Sequence, residues 1–167
     1  MTMEASGRVS ETTAGLQLDI ARSLALPLDE AWAYLVESEQ TERWFGPWEG
    51  NGRAGGSVHV RMRFEEELPT IRVAILACEP ERRLVLRTED EAGGWHLEIL
   101  LDADGDDDTI VRLIHHLDAD AVDAVGELGP GWEFYLDLLV AATEDTEEPT
   151  FDQYYPVLRQ AYVAMVP

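Results

Sequence analysis

Four histidines, one cysteine, twelve arginines and five tryptophans are the side chains through which this chain of 167 residues could do chemistry, and their spacing narrows what it is. His115 and His116 are adjacent in an alternating segment, Thr109 to His116, so they point to opposite faces of a strand and cannot chelate one metal together. His115 shares parity with Val111 and Leu113 and faces the interior, where three roles are open: a hydrogen-bonded core residue, a polar anchor for a ligand, or a general base. His59 and His96 lie on other strands, and nothing in the sequence places them near one another. Cys78 is alone, so it can form no intramolecular disulfide, and without Cys-x-x-Cys or Cys/His spacing it reads as core filling. The run Asp102 to Asp108 carries its glycine in fourth place and Leu113 in twelfth, where a calcium loop needs glycine sixth and Glu twelfth; it reads as a hairpin turn. Gly50, Gly52 and Gly55 have dinucleotide-fold spacing but follow a helix and precede a strand, the reverse of the context that phosphate binding requires. Ser and Thr stand in no nucleophile motif, and no paired carboxylate interrupts an apolar run. No catalytic residue, metal site or cofactor is therefore expected.

The aromatic residues and one arginine are the better leads. Trp32, Trp44, Phe45, Trp48, Trp95, Trp132, Phe134 and Tyr135 offer large apolar surfaces with a few polar tips, which suits either plain core or a pocket for a hydrophobic or aromatic molecule. Arg22 interrupts the apolar face of Leu18, Ile20 and Leu24. It marks a bulge or a side chain snorkelling to the sheet edge, or else a polar group presented to an internal cavity.

The elements that must position these residues follow from periodicity. Residues 1–15 are small and polar without period and read as a loose N-terminal arm. Leu16 to Leu26 alternates and ends at Pro27, a strand; Asp29 to Glu37 has acidic residues early and apolar ones at helical spacing, and Ser38 to Phe45 adds a second short helix. Five further strands are expected at Ser57 to Phe64, Thr70 to Cys78, Arg82 to Thr88, Trp95 to Leu101 and Thr109 to Leu117, with the last two paired as a hairpin. Short turns between them require an antiparallel meander. Trp132 to Ala142 is a helix with Glu133 and Asp137 on one polar stripe and almost everything else apolar, so it must be covered on most of its circumference. Phe151 to Met165 is helical in period but broken by Pro156, giving a kink or two short helices. The sum is an α+β fold: a curved antiparallel sheet of about six strands gripping a long C-terminal helix, with two short helices after the first strand.

Composition bounds the partners. The net charge of -22 opposes wrapping a phosphate backbone or lying on an anionic membrane, so no nucleic acid and no membrane partner is expected. Neither a signal-like N-terminus nor an apolar run of spanning length is present, so a soluble, cytoplasmic protein is expected. Residues 1–87 hold ten Arg against 14 acidic side chains, whereas 88–167 hold two Arg against 20. The acidity therefore belongs to the C-terminal half, either as a solvated surface that maintains solubility or as a dock for a basic partner.

Four patterns in this order carry a resemblance: R-S-L-A-L-P-L-D-E-A-W (Arg22 to Trp32), E-x-x-x-R-W-F-G-P-W (Glu39 to Trp48), T-I-V-R-L-I-H-H (Thr109 to His116) and G-W-E-F-Y-L-D-L-L (Gly131 to Leu139). Together they resemble the activator of heat-shock-protein ATPase homologue family, within the START-like, birch-allergen and polyketide-cyclase superfamily. The resemblance implies a helix-grip domain over 16–145 with a cavity between sheet and helix, and leaves 146–167 as a C-terminal helical extension packed on the domain or on a second subunit, as in a homodimer. It implies a small hydrophobic or aromatic ligand, with Arg22 and His115 as polar anchors and Trp32, Trp44, Phe45, Trp48, Val60, Met62, Trp95, Trp132 and Tyr135 around it. A cyclase or aromatase-type enzyme and a cochaperone-like module docking a basic protein are the alternatives, since this fold hosts several functions.

Overall fold

A computed structural model of the chain describes residues 3–89 and 94–167. Among these, the strands are β1 (Arg8–Thr12), β2 (Gly15–Leu24), β3 (Trp48–Gly50), β4 (Ser57–Arg61), β5 (Thr70–Glu79), β6 (Arg83–Glu89), β7 (His96–Asp104) and β8 (Asp108–Leu117). They form one antiparallel sheet in the order β1-β2-β8-β7-β6-β5-β4-β3, in which the first long strand joins the last and the rest follow as a meander. The helices are α1 (Leu28–Val36), α2 (Ser38–Thr41), α3 (Val122–Glu144) and α4 (Arg159–Ala164), with a single 3₁₀ turn at Phe151–Gln153. This is the helix-grip arrangement: the sheet holds α3 on one face, and α1 and α2 close the end beyond β2. No helix among the described residues is long and apolar enough to cross a membrane.

The period-two segments form strands for the expected reason. Leu16, Leu18, Ile20 and Leu24 of β2 and Val111, Leu113 and His115 of β8 are all buried and face the helix. In β5 the pairing shifts between Ile75 and Ala77, which exposes Leu76 and brings Cys78 onto the inner face opposite Leu84.

Four expectations need correction. The sheet has eight strands rather than about six. Residues 8–12 are not loose: they pair from Arg8↔Asp19 to Thr12↔Gly15, an edge strand whose partner is supplied by β2 rather than by any apolar period of its own. The strand expected to reach Phe64 stops at Arg61. The long helix begins ten residues earlier than its apolar run, at Val122, and continues through Pro130. That proline lies within the helix, so the carbonyl of Gly126 loses its intrahelical donor.

α3 is apolar nearly all round and is covered on both sides. One side meets the sheet; on the other, Tyr162 of α4 lies flat against Gly129, where a Cβ would come within 2.4 Å of its ring. Tyr162 is fully buried and Leu158 nearly so. Phe151, Tyr154, Tyr155 and Tyr162 thus touch α3, carried by one 3₁₀ turn, the residues after it and one short helix beyond Pro156.

Candidate functional site

Between the sheet, α3 and the α1–α2 segment lies a cavity of about 210 Å³. The inner faces of β4 to β8 form its floor, through residues such as Val60, Ile75, Leu86, Ile99 and Leu113. Trp132 and Leu136 come from α3, and Trp32 and Leu35 from α1. The segment after α2 supplies Trp44, Phe45 and Trp48, and it can pass this close to the sheet because Gly46 has no side chain: a Cβ there would sit 1.8 Å from the Arg61 carbonyl oxygen. The result brings all five tryptophans of the chain to the lining of this one cavity. Phe45 stacks parallel to Trp132 at 6.4 Å, and Trp95 meets Trp132 edge-on at 5.8 Å. An apolar cavity of about 150 Å³ accommodates benzene, so this volume suits a molecule of about two fused rings.

Several polar groups at the wall are occupied by the protein itself. Trp132 Nε1 donates to His115 Nδ1 at 3.0 Å, Trp44 Nε1 to the Tyr34 carbonyl at 2.7 Å, and the Thr41 hydroxyl to the Gly46 carbonyl at 2.8 Å. Thr88 Oγ1 accepts from the Trp95 amide at 2.8 Å. Cys78 adds a half-buried thiol. No charged side chain lines the cavity among the described residues. An ion placed there would lose its hydration without gaining a counter-charge, which costs several kcal/mol. An uncharged molecule meets no such cost.

Of the eleven residues expected around a ligand, Trp32, Trp44, Phe45, Trp48, Val60, Trp95 and Trp132 line the cavity together. Four do not. His115 lies behind Trp132, 1% exposed, its pKa pushed down to about 4 by burial and then by the neighbouring His116 and His96. Tyr135 packs its ring on Phe45 at 4.9 Å while its hydroxyl donates to Glu65 Oε1 at 2.8 Å. Met62 is core just past the end of β4.

Arg22 is neither at a bulge nor in the cavity: the β2–β8 register is unbroken, and its guanidinium meets the polar stripe of α3. Nε donates to Asp137 Oδ1 and Nη2 to Glu133 Oε1, both at 2.7 Å. Buried Glu133 also accepts from the Tyr162 hydroxyl at 2.7 Å, from the Ser6 amide at 2.9 Å and from the Ser6 hydroxyl. Asp137 Oδ2 accepts from the Tyr154 hydroxyl at 2.7 Å. Burial opposes the charge on Arg22, yet the bonds to Asp137 and Glu133 hold its pKa above the usual value. This cluster joins the N-terminal segment, β2, α3 and the C-terminal extension; it is a clamp.

Sequence reasoning missed much of the lining, such as Thr88 and Val111 of the sheet and Leu136 of α3, although strand parity and helical period placed such residues inward. What the pattern lacked was a distinction between filling the interior and bordering a space in it.

Residues 25–144 match the family described as Activator of Hsp90 ATPase homolog 1-like protein. No curated protein matches the sequence. Among solved structures, the crystal structure of CalU16 from Micromonospora echinospora is similar with a TM-score of 0.76 at 26% identity, over 96% of this chain and 95% of that one. DynU16, described as a protein in the dynemicin biosynthetic locus, gives 0.70 at 18% identity over 83% of this chain and 49% of its own. The Aha1 dimer from Colwellia psychrerythraea gives 0.64 at 14% identity over 77% and 96%. At such identities the last two speak to the fold alone.

Proposed function

The chain belongs to the Activator of Hsp90 ATPase homolog 1-like family, and from that premise we propose that it binds an uncharged, flat hydrophobic or aromatic molecule between the sheet and α3. The observation that carries this reading is the convergence of all five tryptophans on one uncharged cavity of about 210 Å³. Flat aromatic walls favour a ligand with a π face, which they meet edge-on or offset-stacked. The aromatic and aliphatic side chains of the lining suit holding and orienting such a molecule.

Prodan, a neutral two-ring naphthalene dye whose emission shifts to the blue in apolar surroundings, tests the reading. Titrated into the protein it should bind once per chain, with emission excited through the tryptophans. Val60→Phe and Leu113→Phe fill the floor from two strands and should each weaken binding. Absence of saturable binding, or binding that both filled variants leave unchanged while folded, would sink the proposal.

A further inference from the structure

A second cluster lies on the other face of the sheet. His96 and Glu98 are two apart on β7, so their side chains leave the same face, opposite in parity to the inward Leu97 and Ile99, and His116 stands across from His96 on β8. The imidazole rings of His96 and His116 are 4.7 Å apart between centroids, and His116 Nε2 lies 3.3 Å from Glu98 Oε1. Two donors of one tetrahedral zinc ion, each bonded at about 2.0–2.1 Å, stand about 3.3 Å from one another. Arg83 Nε donates to the other carboxylate oxygen, Glu98 Oε2, at 2.6 Å, the kind of outer contact that fixes a ligating carboxylate in place.

We propose that His96, Glu98 and His116 form a site for a divalent transition metal, zinc by its donor set, on the outer face of the sheet. Two imidazoles and one carboxylate suit zinc rather than magnesium or calcium, which take oxygen ligands. All three side chains are half-buried, within reach of an ion from solution. Glu98 and His116 already stand at ligand spacing. No three such groups meet at one point among the described residues as they stand, and His96 is the ring that must turn to complete the set.

The acidic hairpin at Asp102–Asp108 is another concentration of cation-attracting groups, so the test separates the two. Zinc is titrated calorimetrically into the metal-free protein at near-neutral pH and physiological salt, for the parent and for His96→Ala, His96→Gln, His116→Ala and the double variant Asp106→Asn/Asp107→Asn. The expected result is one zinc per chain, weakened roughly tenfold or more by each histidine change and unaltered in the hairpin variant. Zinc should also raise the thermal midpoint of the parent and not that of the histidine variants, and cobalt(II) should give a visible band that His116→Ala abolishes. Binding that survives in the folded histidine variants, binding lost in the hairpin variant, or no zinc binding by the parent would overturn the assignment. His96→Gln, which retains the side-chain bulk, keeps the comparison valid should His96→Ala fail to fold.

Discussion

His115 is uncharged at neutral pH because burial, reinforced by the charges of His116 and His96, lowers its pKa to about 4. In the unfolded chain the value is about 6.5, so the unfolded state takes up its proton first as pH falls. The stability contributed by the neutral imidazole is therefore full above about 6.5 and is lost as pH falls toward about 4, a swing of about 3 kcal/mol. His115→Asn keeps an acceptor for Trp132 Nε1 without a titrating group. Denaturant unfolding at both ends of this window should show the parent losing about 3 kcal/mol more than the variant; parallel pH profiles would contradict the assignment. Glu133 is the other residue on which much depends, since Arg22, Tyr162 and Ser6 all donate to it. Glu133→Ala should cost about 1–3 kcal/mol by chemical denaturation, because it removes the acceptor of the buried Tyr162 hydroxyl and one of the two carboxylates that pair half-buried Arg22, which keeps Asp137. Glu133 and Asp137 are recognisable in sequence as a polar stripe and Arg22 as an intruder on an apolar face, but their meeting is a tertiary fact that neither pattern contains.

The elements differ in how much of their form is local. β2 and β8 alternate in sequence and alternate in burial, so their inward faces could be read directly. The first turns of α3 could not, because Gly126 and Gly129-Pro130-Gly131 are poor helix formers and place an apparent start at Trp132. The helix persists there because α4 packs on it, and the glycines are what let α4 approach. In a solvent-exposed helix Gly129→Ala would stabilise by about 1 kcal/mol. Here a Cβ would lie 2.4 Å from the Tyr162 ring, so the same change should destabilise by about 1–3 kcal/mol. Thermal unfolding of Gly129→Ala, Tyr162→Val and the double variant gives the check: coupling between the two sites is expected, and additive effects would show that the ring is not what excludes the side chain. The aromatic wall sits between these extremes. The tryptophans were evident as candidates, whereas the space they border depends on Gly46 letting the chain run beside the end of β4 at contact distance.

At the scale of the whole molecule, charge and site are separate. The chain carries -22, most of it after residue 87, and the cavity is lined by no charged group among the described residues. A charge of this size stores self-repulsion in the folded state, and salt screens it over a Debye length of about 8 Å at physiological ionic strength. Raising sodium chloride from millimolar to several hundred millimolar should therefore raise the melting temperature by several degrees. A neutral molecule entering an uncharged cavity releases no counterions and feels little of the surface field, so its affinity should stay within about twofold over the same range. Measuring melting temperature and prodan affinity on the same samples tests both statements. A dye affinity that falls steeply with salt would place its binding on the charged exterior, and the tryptophan cavity would lose its claim to be the functional site.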